Sequence, residues 1–107
     1  MSSMRTLLHP QCEEFSLPTI LYALGDPHRL SIVGQLAETS ASITCSDIFE
    51  GKEVAKSTGS HHFKVLREAG IIRMVPHGRR VLVSLRRDDL ENRFPGLLDS
   101  ILATYRK

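Results

Sequence analysis

Residues 56–70, KSTGSHHFKVLREAG, set the tightest limit on what this chain can fold into. Phe63, Leu66 and Ala69 recur at helical spacing, so a helix here can bury one face. Ser57 is placed to cap its start, with Ser60 three residues on, and Gly70 ends it. The other face carries Ser60, His61, Lys64, Arg67 and Glu68. A helix that buries one side and offers Ser, Thr, His and Lys from its N-terminal end suits a DNA groove. A solvated surface helix fits the same stretch taken alone, so the neighbouring segments decide.

Residues 1–16 read as irregular, an exposed and flexible N-terminal arm: His9-Pro10 discourages helix and Cys12-Glu13-Glu14 is polar. Residues 17–107 read as one domain. Leu17, Ile20, Leu21 and Leu24 form the apolar stripe of a first helix that Gly25 ends. Asp26 caps the second helix and Pro27 opens it, with Leu30, Val33, Leu36 and Ala37 facing inward. After a polar break at 38–42, Thr44 caps a short third helix, with Asp47 in a capping-box position. Ile48 and Phe49 point to the core, and Gly51 stops the helix. A short helix, a connector and a second amphipathic helix make a helix-turn-helix.

Residues 71–75 and 81–85 are apolar and partly alternating around PHGRR, which predicts a β-hairpin with a basic tip. Helix-turn-helix followed by such a hairpin is a winged helix: mainly α, about five helices and a two-stranded wing. Asp88 or Asp89 caps a single turn, and Pro95 restarts a helix. Phe94, Leu97, Leu98, Ile101, Leu102 and Tyr105 then form a stripe too apolar for a terminal helix in water. It either completes the monomer core or packs with the first helix against a second subunit. The second arrangement makes a homodimer.

Charge supports a polyanionic partner. Residues 51–80 hold seven Lys/Arg against two Glu, a balance of +5, and the rest of the chain carries −3. With 107 residues, one domain is expected. No apolar run approaches a membrane span and the N-terminus lacks a signal-peptide pattern, so a cytoplasmic protein is expected. Cys12 and Cys45 are not part of a CxxC and read as thiols. There is no paired-carboxylate setting, nucleophile motif or Gly-rich phosphate loop, so no enzyme and no cofactor are expected.

The stretches LYALGDPHRLSIVGQLAE, TCSDI, KSTGSHHFKVLREAGII and HGRRVLVSL, in this order, resemble the ArsR/SmtB family of bacterial winged-helix repressors across roughly residues 17–85. The resemblance implies a homodimer built through the first and last helices, here Leu17, Ile20, Leu21, Leu97, Leu98, Ile101, Leu102 and Tyr105. It implies binding to an inverted-repeat operator in double-stranded DNA, blocking transcription. Lys56, Ser57, Thr58, Ser60, His61 and Lys64 match the family's DNA-facing positions, and Arg79 and Arg80 its wing contacts. His62 matches a histidine that often turns partly inward. Ser57 or Thr58 suits phosphate, although Ser57 could be a cap alone; Ser60, His61 and Lys64 suit base edges. Arg67 fits a surface salt bridge or backbone contact as well as a base. Gly59 departs from the family, which more often has a branched apolar residue there. Glycine inside a helix costs roughly 0.5–1 kcal/mol relative to alanine, so Gly59→Ala is expected to raise thermal stability.

The family's metal sites do not carry over. Thr44 and Ser46 stand where a Cys-x-Cys pair would be, and residues 88–107 contain no histidine. His61 and His62 are adjacent and point about 100° apart on a helix, while His9, His28 and His77 are scattered. No metal site is expected, with a metal-responsive repressor using a non-standard site as an alternative. Cys45, in the first turn of the third helix, is a possible thiol switch, with Cys12 able to reach it from the arm. The opposing reading is a small buried residue and an inert exposed thiol. A winged-helix protein-interaction module is the other function class, and the +5 patch argues against it.

Overall fold

The computed structural model describes residues 8–39, 42–48 and 56–106, with the backbone alone described at Ser46, Lys56 and Ser57. Helix α1 (Leu17–Leu24) is followed directly by α2 (Pro27–Ala37). The Asp26 carboxylate accepts the backbone N–H of His28 at 2.9 Å and of Arg29 at 3.1 Å, which is the N-cap its position predicts. The one-turn α3 (Cys45–Ile48) carries the expected reciprocal cap: Asp47 N–H donates to Thr44 Oγ1 at 3.2 Å, and Thr44 N–H donates to Asp47 Oδ2 at 3.4 Å. The inward face expected at Phe49 and the stop at Gly51 lie outside the described residues. Helix α4 is Lys56–Ala69.

The wing has one more strand than the sequence suggests. Ile43–Thr44 forms β1, which pairs antiparallel with β3 (Arg80–Leu85), and β3 pairs with β2 (Ile72–His77) in the order β1-β3-β2. Val83 is the shared rung, opposite Ile43 on one side and Met74 on the other, and is fully buried. His77 and Arg80 close the hairpin across a two-residue turn. Gly78 takes φ 65° there, at the first turn position, where a side chain would be strained.

The core gathers one face from each helix: Ile20 and Ala23, Ile32 and Val33, Phe63 and Leu66, then Leu90 from α5 (Arg87–Arg93) and Leu98 and Leu102 from α6 (Leu97–Tyr105). Asp88 and Asp89 fall in the first turn of α5, and Arg86 holds its N-cap position. Helix α6 begins after Gly96, which has φ 80°, two residues later than Pro95 suggests. Within the expected α1 stripe, Ile20 and Leu24 are buried, whereas Leu17 and Leu21 are exposed at 42% and 47%.

Residues 8–16, assigned to an exposed arm, lie against the domain. Phe15 is in the core, and Arg93 Nη1 donates to the carbonyls of Cys12 at 3.0 Å and Phe15 at 3.2 Å. Arg86 Nη1 donates to Pro10 O at 2.8 Å, and Met74 N–H donates to His9 Nε2 at 3.0 Å. A polar segment docks here because two arginines of α5 and its cap satisfy its backbone carbonyls while one aromatic ring supplies the apolar contact.

Candidate nucleic-acid interface

Helix α4 divides its residues sharply. His62, Phe63, Leu66 and Ala69 are buried; Thr58, Ser60, His61, Lys64 and Glu68 are exposed. Apart from Glu68, these exposed positions fall on the N-terminal half and middle of the helix, and the hairpin presents Arg79 and Arg80, both exposed, at its tip. The side chains of Lys56 and Ser57 lie outside those described. The backbone places Ser57 second in the helix, because the helix begins at Lys56, so Ser57 does not occupy the N-cap position. Arg67 is turned back onto the chain itself: its Nη1 donates to the Leu8 carbonyl. Gly59 lies inside α4, as the helix-propensity argument requires, and is buried.

The back of α4 is anchored by a residue that the sequence reading passed over. Arg29, in the first turn of α2, is buried. Its Nε donates to Ala23 O at 2.7 Å and its Nη2 to Tyr22 O at 3.3 Å, capping the carbonyl end of α1 with a positive charge. Its Nη1 faces His62 Nδ1 at 3.3 Å, so one guanidinium ties α1, α2 and α4 together. The signal was an arginine three residues after an Asp-Pro cap, one position off the apolar stripe.

His62 turns inward, as the resemblance implies, and meets residues that sequence spacing left scattered. Its Nε2 is 3.8 Å from Asp26 Oδ2, and His28 Nδ1 is 3.7 Å from the same oxygen. The His28 and His62 rings stack at 5.5 Å between centroids. Burial pushes the His62 pKa below its usual value. The Asp26 charge opposes that shift, and Arg29, His28 and His61 add to it. For Asp26 burial acts upward, but the backbone N–H bonds from Arg29 and His28 and the nearby positive charges outweigh it and hold the carboxyl low.

The two cysteines named as a thiol switch sit in different surroundings. Burial pushes the Cys45 thiol up to about 11, outweighing any help from the four-residue α3, so its thiolate is scarce near neutrality. Cys12 sits against α5, where its Sγ donates to Asp89 O at 3.5 Å and Asn92 Nδ2 donates to Sγ at 3.7 Å. Both are free cysteines.

No helix among the described residues is long and apolar enough to cross a membrane. Residues 24–75 match the family model described as a helix-turn-helix domain. An uncharacterized HTH-type transcriptional regulator of Bacillus subtilis (strain 168), YceK, is 37% identical over 82 residues, covering 77% of this chain and 82% of YceK. Among solved structures, the ArsR family transcriptional regulator RHA00566 superposes with a TM-score of 0.65 at 23% identity, covering 84% of this chain and 91% of that one. HlyU from Vibrio cholerae N16961 gives a TM-score of 0.68 at 18% identity, with 84% and 91% covered. These two likenesses show the fold, and the YceK match carries the relationship in sequence. The chain belongs to the HTH-type transcriptional regulators and has the winged-helix fold of the ArsR family regulator RHA00566.

Proposed function

We propose that this regulator is a cytoplasmic repressor that binds an inverted-repeat operator as a homodimer. Helix α4 lies in the major groove with Ser60, His61 and Lys64 at base edges, and Thr58, with Lys56 and Ser57, on phosphate. Arg79 and Arg80 of the wing reach the backbone or minor groove. The observation that carries this reading is the division of α4, which anchors His62, Phe63 and Leu66 while leaving Thr58, Ser60, His61 and Lys64 in solvent. The second copy packs on the exposed apolar residues Leu17, Leu21 and Tyr105, with the half-buried Leu97 and Ile101 beside them. Ile20, Leu98 and Leu102, also assigned to dimerisation from sequence, are buried within the monomer and support that surface from behind. Selection from a random duplex pool tests the reading. The expected product is two related half-sites in inverted orientation, spaced by about one helical turn. Recovery of no preferred duplex would favour a protein partner instead.

A further inference from the structure

We propose that Asp26, His28 and His62 form a binding site for one divalent transition-metal ion of the zinc class, pinning the start of α2 to the middle of α4. Each of the three side chains offers one ligand atom, and these atoms all lie within 4.8 Å of one another. The Asp26 oxygen is 3.7 Å from His28 Nδ1 and 3.8 Å from His62 Nε2. Bonds of about 2.0–2.1 Å in tetrahedral geometry put ligands roughly 3.3 Å apart, so each histidine closes on Asp26 by about half an ångström, and the two histidines, within 4.8 Å of each other, draw together on the ion. Asp26 is already fixed by two backbone N–H groups, which orient its carboxylate toward the histidines.

A second observation points to the same place. His62 is 6% exposed, and its Nε2 is buried without a hydrogen-bond partner among the described residues. It faces the Asp26 carboxylate at a distance too long for a hydrogen bond. Leaving such a group unpaired is unfavourable, and a metal ion at that point engages it. The exposed His28 ring completes the set from the solvent side, leaving a route of entry and a fourth position for water.

Arg29 governs loading. A guanidinium only donates, so His62 Nδ1 accepts from Nη1, and in the neutral ring Nε2 holds the proton. On metal binding the ring's one proton passes from Nε2 to Nδ1, the His62 ring shifts toward the ion, and Nδ1 gives up its bond from Nη1 while Arg29 keeps its bonds to Ala23 O and Tyr22 O. The cost of that exchange, and the nearby positive charge, select ions with high affinity for imidazole over Mg²⁺ or Ca²⁺, which prefer oxygen ligands.

Titration of the whole chain with Co²⁺ as the probe tests the site, and it uses no DNA, so its outcome is independent of what α4 binds. The expected result is one Co²⁺ per chain, visible bands of a four-coordinate ion, and no thiolate charge-transfer band. His28→Gln, a surface substitution, should weaken binding at least about tenfold. His77→Gln at the wing tip should leave it unchanged. Absence of Co²⁺ binding, a thiolate band, or equal affinity in His28→Gln would overturn the proposal.

Discussion

The ring of Phe15 lies directly on the α-carbon of Gly70, so closely that a Cβ at Gly70 would overlap it. Gly70 has φ 93°, the left-handed region in which α4 ends before Ile71 enters the core. Arg86 stacks on the same ring, 4.9 Å from its centroid. This contact fastens the N-terminal segment to the end of α4. Gly70→Ala combines left-handed strain of about 1–2 kcal/mol with overpacking of about 1–3 kcal/mol. A destabilisation of roughly 2–5 kcal/mol is expected, read as the shift in urea midpoint.

Arg29 is the buried cation that three helices share. Arg29→Met keeps the length of the side chain but leaves the Ala23 and Tyr22 carbonyls without this donor. A loss of about 1–3 kcal/mol is expected from the unsatisfied acceptors. Chemical denaturation measures it, and a variant as stable as the wild type would show that the guanidinium is not what joins α1 to α4.

Acidification should weaken the fold through His62. Its folded pKa lies below the ordinary 6.5, chiefly because of burial. Below about that pH the unfolded chain binds a proton that the folded chain refuses, so stability falls as pH falls toward the folded value. Asp26, held below 3.8 despite its desolvation, adds stability above that pH, which is lost as pH drops through its lower folded value. Unfolding midpoints between pH 8 and pH 5 should decline in the wild type and flatten in His62→Gln. An unchanged slope in the variant would remove His62 as the cause.

The exposed apolar pair on α1 gives a test of assembly. Leu21→Glu places a charge on the surface proposed for the second copy, at a position half open in the monomer. Sedimentation velocity should then report a monomer whose helical content is unchanged, where the wild type sediments as a dimer. A wild type that stays monomeric at high concentration would contradict the dimer.

Much of this architecture was readable because periodicity and caps agree. The Asp26-Pro27 start, the Thr44/Asp47 box, the Phe63/Leu66/Ala69 stripe and the basic hairpin each signal locally. What stayed hidden depends on tertiary contact. Two residues, Ile43 and Thr44, are too few to show alternation, and they pair only because Val83 and Leu82 lie beside them. Phe15 is one ring in a polar stretch, and nothing local says that Gly70 waits for it. Asp26, His28 and His62 converge only when α2 packs on α4, and Arg29 reads as surface until its carbonyl partners are known. The thiol-switch expectation for Cys45 weighed the helix end and could not weigh burial.

The most direct measurement is the affinity of the wild type and Lys64→Ala for the selected operator and for each single-base variant of one half-site, at fixed salt. Lys64 lies exposed on α4, one turn beyond Ser60. The expected result is loss of discrimination at one base pair, worth about 1–3 kcal/mol, with little change elsewhere. Arg79→Ala serves as the contrast, weakening all sequences alike and lowering the salt slope by about one. Equal loss across every base pair in Lys64→Ala would contradict the assignment of this face of α4 to sequence reading.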